Sequence, residues 1–185
     1  GFARHLGIPI GVKKALEFIN AAEPVDIDYG KINGHPFFCS CGMGFDAVVS
    51  NDFAKGKSRG MLNYIRHSLL DWVRYKPETY VVETRELKES FEAFVIACGN
   101  ASQYGNNAYI TPFASMRDGL ITASILSPFN AFEMPMMATH LFTHTFDEST
   151  HVTTLAAPWI RIKREKAGPV HFDGEPCEME QELLI

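Results

Sequence analysis

The segment that most limits the choice of fold is residues 94–126, FVIACGNASQYGNNAYITPFASMRDGLITASIL, where two apolar runs enclose a stretch of chain-bending residues. Phe94, Val95, Ile96, Ala97 and Cys98 leave no polar position to face water, so this run reads as a strand covered on both sides. Gly99-Asn100 ends it. Gly105, Asn106, Asn107 and Pro112 oppose both helix and ladder, and the backbone there must find other hydrogen-bond partners. Asp118-Gly119 then turns the chain into a second strand of little charge, residues 120–126. Asp-Gly is first of all a common turn pair. The same turn, with an acidic side chain and free carbonyls nearby, also has the oxygen donors that a hard cation takes.

Composition narrows the class. A chain of 185 residues is long enough to bury about 70% of its unfolded surface without disulfides. Hydrophobic residues at 46% and charged residues at 21% are globular values, and a formal charge of -5 argues against a nucleic-acid binder. No run approaches the length of a membrane-spanning helix and no signal-peptide pattern is present, which leads to the expectation of a cytoplasmic protein able to touch a membrane surface. Cys39, Cys41, Cys98 and Cys177 form no CxxC pair and no zinc-knuckle spacing, so they are expected as buried thiols. The chain opens on Gly1-Phe2-Ala3-Arg4 in a structured pattern without Met, as a piece of a longer protein would.

In chain order, residues 10–21 carry apolar side chains at helical spacing. Residues 26–32 and 35–41 read as two strands of a hairpin joined by Asn33-Gly34, the pair a type I′ turn requires. Gly42-Met43-Gly44 lacks the third glycine of a dinucleotide fingerprint. Residues 57–76 give the longest expected helix, with Arg59 in its first turn, where the helix dipole opposes a cation unless an anion binds. Residues 80–86 and 90–98 read as a second hairpin. Ser127-Pro128 reads as the start of a Phe/Met-rich helix interrupted at Pro135; its Phe129, Phe132, Met134, Met136 and Met137 suit core packing or an acyl-chain surface. His140, His144 and Asp147 can share a helical face but lack HExxH, so ordinary surface or packing histidines are expected before zinc. Strands follow at 151–155 and 159–164, and another enters the turn Asp173-Gly174-Glu175. With no repeat or linker, the reading is one domain, mainly β (α+β).

Several pieces in register resemble the lipid kinases of the diacylglycerol and sphingosine kinase family, bacterial members included. They are Gly1-Phe2-Ala3-Arg4-His5-Leu6-Gly7-Ile8-Pro9, Gly44-Phe45-Asp46-Ala47, Gly56-Lys57-Ser58-Arg59-Gly60, Gly99-Asn100 with Tyr104-Gly105, Asp118-Gly119-Leu120 and Asp173-Gly174-Glu175. The resemblance implies the family's C-terminal domain: a distorted two-sheet antiparallel β-sandwich with about three peripheral helices, a fold shared with NAD kinases. The family's other half, an α/β domain with a Gly-Gly-Asp-Gly loop for the ATP phosphates, has no counterpart in this sequence.

By the same resemblance, the function is ATP- and Mg2+-dependent phosphorylation of a lipid hydroxyl, on diacylglycerol or a sphingosine-like lipid. Asp173 is implied as the catalytic base or a magnesium-linked carboxylate, Glu175 as lying near the nucleotide, and Arg59 as a phosphate-binding guanidinium. Asp46 is implied as a head-group contact, against the plain reading of a helix N-cap. Asp118 with the carbonyls of Ser115 and Leu120 is implied as a Mg2+ site. The implied partners are the lipid, the nucleotide-binding domain, an inner membrane face touched peripherally and a second copy in a homodimer. The isolated piece is expected to be inactive. Two other readings stay open: the C-terminal domain of an NAD kinase, and a non-enzymatic β-sandwich binding module.

Overall fold

A computed structural model describes residues 1–54, 72 and 75–185. The expected helix 57–76 and its Arg59 therefore lie almost entirely outside the described residues. Two short helices open the chain, α1 (Phe2–His5) and α2 (Val12–Ala21). The hairpin β1 (Gly30–Ile32) and β2 (His35–Phe37) follows, then β3 (Ser40–Gly44) runs directly into α3 (Phe45–Ala54). Next come β4 (Glu78–Glu83), β5 (Lys88–Ala93), β6 (Val95–Gly99) and β7 (Ile121–Leu126). After α4 (Met134–Thr143), the chain ends in β8 (Val152–Ala157), β9 (Arg161–Arg164), β10 (Gly168–Phe172), β11 (Glu175–Met179) and β12 (Glu182–Leu184).

Every strand pairing is antiparallel. A six-stranded sheet runs β11-β10-β3-β6-β7-β8, a four-stranded sheet β12-β9-β4-β5, and β1-β2 stands apart. The two larger sheets enclose a core that includes Cys41, Met43, Tyr80, Val82, Ile96, Cys98, Ile125, Ile162, Val170 and Leu183. A second apolar cluster covers part of the other face of the six-stranded sheet, where Phe94, Val95, Ala97 and Leu126 meet Met137 and Phe146. The architecture is the two-sheet sandwich that was expected, with four α-helices among the described residues. The apolar runs at 94–98 and 120–126 are its two central strands, and every residue of β6 and β7 is buried.

Three local expectations change. Residues 35–41 are two strands in different sheets, because the chain bends at Phe38 and Cys39, whose N–H groups bond elsewhere. Residues 90–98 likewise divide at Phe94, where its N–H turns to the Leu126 carbonyl at 2.7 Å. The Phe/Met-rich helix does not start at Ser127-Pro128: a 3-10 turn, Ala131–Glu133, closed by Asn130 and Glu133 in a capping box, leads into it, and Pro135 sits in its first turn instead of interrupting it. Of its apolar side chains Met137 is buried, while Phe132 is 96% exposed and Met136 is exposed.

Cys41 and Cys98 face each other across β3 and β6 as buried thiols; burial, then contact with Cys98, pushes the Cys41 thiol well up, so it is inert. Cys39 and Cys177 are half-buried and also free.

Candidate functional site

Asp173-Gly174 joins β10 to β11 as a two-residue turn with φ of 51° and 86°, the left-handed pair of a type I′ hairpin. Holding a non-glycine residue there points the Asp173 side chain back at the bend between β2 and β3. Its Oδ2 accepts from Phe38 N–H at 2.7 Å, and its Oδ1 from Cys39 N–H at 2.7 Å and Ser40 N–H at 3.2 Å. Asp173 N–H donates in return to the Ser40 carbonyl. The carboxylate thus satisfies the backbone that the bend frees from ladder pairing, and Asp173 itself stays exposed.

Asn100 holds the same bend from behind. Its amide donates at 2.9 Å to the carbonyls of Phe38 and Asp28, and its N–H and that of Ala101 both donate to Cys39. Asp28 extends the chain of bonds: its Oδ2 accepts Gly119 N–H at 2.9 Å. The Asp118-Gly119 turn is therefore wired through Asp28, Asn100 and Phe38 to Asp173. Asp118 Oδ1 accepts Leu120 N–H at 3.0 Å, as in an Asx turn. An open groove of about 1010 Å3 runs past this turn between Asp28, Tyr29, Asn100, Leu120 and Trp159. It does not include Asp46 or Asp173.

Asp46 lies at the other end of β3. Gly44, at φ 98°, lets the chain pass so close to the Phe94 carbonyl that a Cβ there would stand 2.6 Å from it, and α3 begins at once. This folds Asp46 back over Gly42. It is not an N-cap; its Oδ1 takes the N–H of Ala47 at 2.7 Å. Its Oδ2 accepts from Tyr104 Oη at 2.6 Å and lies 2.9 Å from His171 Nε2. His171 is buried, and Gly42 is the floor beneath the pair, since a Cβ there would sit 2.7 Å from His171 Nε2 and against the Asp46 carboxylate. Burial opposes protonation of His171, but the charge and hydrogen bond of Asp46, with help from Asp173, raise it above its ordinary 6.5. Burial, then Asp46, pushes the Tyr104 phenol well above 10.

A family model described as the YegS C-terminal NAD kinase beta sandwich-like domain matches residues 39–181. The chain belongs to this family. A relative named "Probable lipid kinase YegS-like" from Chromohalobacter salexigens is 27% identical over 180 residues, covering 95% of this chain and 57% of its own length. Another of that name from Pectobacterium atrosepticum is 29% identical over 178 residues, covering 95% of this chain and 58% of its own. The chain spans under three-fifths of the length of these relatives. In fold, it is similar to a solved diacylglycerol kinase from Bacillus anthracis, with a TM-score of 0.67 at 15% identity over 100% of this chain and 59% of that one.

In this YegS-type domain, the structure ties Asp173 to the Asp118 turn by hydrogen bonds and brings the Asp46 carboxylate back over Gly42, two positions along β3 from the Ser40 that Asp173 holds. Glu175 is exposed on β11, opposite Phe172. Arg59 lies outside the described residues. His140 bonds Thr145, and His144, exposed, caps α4 at φ 66° with its ring edge-on to Tyr109; no group of three or more His, Cys, Asp or Glu placed to hold a metal occurs among the described residues. Sequence reading missed Asp28, Asn100 and His171 as parts of the site. A signal for His171 existed, because it alternates with the apolar Val170 and Phe172 and so faces away from the core they enter.

Proposed function

We propose that this domain is the substrate side of an ATP- and Mg2+-dependent kinase that phosphorylates the hydroxyl of a diacylglycerol-like or long-chain-base lipid. The observation that carries the reading is that two carboxylates are fixed over the first half of one strand, Asp173 on Ser40 and Asp46 over Gly42, with His171 between them. The names of the lipid-kinase relatives support the substrate class. The nucleotide phosphates would be held mainly by a domain outside this chain, with Arg59 on the phosphates and Glu175 near the nucleotide. A lipid acceptor implies contact with a membrane face, and no described helix is long and apolar enough to cross one.

Asp173 is the candidate to orient or deprotonate the attacking hydroxyl. Three of the roughly four lone-pair positions of its carboxylate are occupied by Phe38, Cys39 and Ser40, which leaves one, on Oδ2, for a substrate donor. Asp46 takes the head group. For Mg2+, the donor set fits: Asp118 Oδ2 and the carbonyls of Ser115 and Leu120 accept no hydrogen bond from described residues, and all are hard oxygens. Bound there, the ion would neutralise negative charge; Asp28 would hold the turn in place through Gly119.

The test is phosphorylation of diacylglycerol and sphingosine in neutral detergent micelles by the full-length protein and its Asp173→Asn variant. The wild type should label a lipid, and the variant should lose about 10²- to 10⁴-fold in kcat with its folding intact. Near-normal turnover by a folded variant overturns the role of Asp173. Phosphorylation of NAD in place of either lipid overturns the lipid-kinase reading.

A further inference from the structure

His171 and Tyr104 take no part in the chemistry proposed above, yet both are aimed at Asp46. The imidazole is 4% exposed, and its Nδ1 has no hydrogen-bond partner among the described residues, so its anchor is Asp46 Oδ2. The Tyr104 ring meets the imidazole edge-on at 5.8 Å and donates to the same Oδ2. The loop behind Tyr104, with Gly105 at φ 152° and Tyr104 N–H on the Ala108 carbonyl, fixes that approach. Beneath, Gly42 admits no side chain. Asp46 is therefore held in place: Oδ2 is filled by two donors and Oδ1 holds Ala47 N–H, so the described residues leave one acceptor position, on Oδ1.

We propose that His171 is a specificity-determining and positioning residue: by filling Asp46 Oδ2 with Tyr104 and offsetting the carboxylate's charge, it makes the remaining position on Oδ1 favour a neutral lipid hydroxyl over an ammonium. This rests on the reading of Asp46 as the head-group contact. An unpaired carboxylate attracts a cation strongly in a poorly solvated site, whereas one whose Oδ2 already meets a buried imidazole at 2.9 Å and a phenol at 2.6 Å offers a second cation less and still accepts a hydrogen bond; the Asp46 charge in turn favours the protonated form of that imidazole. Among the described residues, the groups facing His171 are Asp46 from α3, Tyr104 from the loop between β6 and β7 and Asp173 at the end of its own strand.

The experiment compares diacylglycerol with sphingosine as acceptors for the full-length protein, its His171→Leu variant, which loses donor and charge, and its His171→Gln variant, which keeps a donor and loses the charge. The wild type should favour diacylglycerol. His171→Leu should move the ratio of kcat/KM toward sphingosine by roughly tenfold or more, chiefly through KM. His171→Gln should also move the ratio while keeping the KM for diacylglycerol near wild type. In an Asp46→Asn background His171→Leu should produce no further shift, because its action runs through that carboxylate. An equal loss on both lipids, an unchanged ratio in a folded His171→Gln protein, or a shift that persists with Asp46→Asn would each overturn the proposal. If the wild type phosphorylates neither lipid, the kinase reading fails separately. Flotation of the same proteins with phosphatidylcholine vesicles carrying diacylglycerol or sphingosine then decides: a His171-dependent change in preference sustains the proposal, and none overturns it.

Discussion

The six-stranded sheet has two faces built by the same strands, and they differ in what they tolerate. On the inner face Cys41, Met43, Ile96, Cys98 and Val170 pack against the second sheet as buried apolar side chains. On the outer face, register aligns His171, Gly42, Ala97 and Ser124 in a row across four strands, and Asp46 closes over its first half. The inner face works by filling volume, which many side-chain combinations can do. The outer face works by leaving volume empty at Gly42, so that an imidazole and a carboxylate can meet there. Stability and chemistry are thus separated by the period-two alternation of a strand.

The sharpest way to break that separation is Ile96→Ala on the inner face. It should cost about 2–5 kcal/mol in equilibrium unfolding of the full-length protein. The lipid KM of the molecules that remain folded should not change. If lipid preference moves as well, the two faces are coupled and the division of labour is wrong.

Gly42→Ala should have a smaller effect on stability, about 1–3 kcal/mol from overpacking, and a different character. A methyl group there meets Asp46 and His171, so the lipid KM should rise together with the fall in melting temperature. A variant that unfolds earlier but binds lipid normally would show that Asp46 does not depend on this floor.

How much of this was legible in the sequence follows the same division. Strands β6 and β7 and the Asn33-Gly34 turn were plain, because continuous apolar runs and positive-φ residue pairs are local signals. The divided strands were not. Nothing near Phe38 indicates that its N–H will be taken by a carboxylate 135 positions away, nor near Phe94 that it will leave the hairpin for the Leu126 carbonyl. Asp46, Asp118, Asp173 and Glu175 stood out through motif resemblance, and Asp28 did not. Asn100 was visible as punctuation after a strand but not as a clamp on Asp28 and Phe38, since its two carbonyl partners become neighbours only once the sandwich closes. For His171 strand alternation was the one local signal, and it named no partner, because Asp46 lies 125 positions earlier.

The smallest expected effect sharpens the comparison through pH. His171 has its folded-state value raised above 6.5, so its pairing with Asp46 stabilises the native state fully below the unfolded value and is lost as pH rises through the higher folded value. His5 carries the opposite sign: burial lowers it, and its Nδ1 accepts the Ser102 N–H, so its contribution is full above the ordinary 6.5 and is lost as pH falls from there through the lowered folded value. A melting curve of the wild type alone mixes the two. The difference between wild type and His171→Gln isolates the first, and that difference should be larger on the acidic side of 6.5 and shrink toward alkaline pH. Asp46→Asn should flatten it. A difference that instead grows with rising pH would mean that the imidazole is held neutral, and Asp46 would then face the head group with its charge uncompensated.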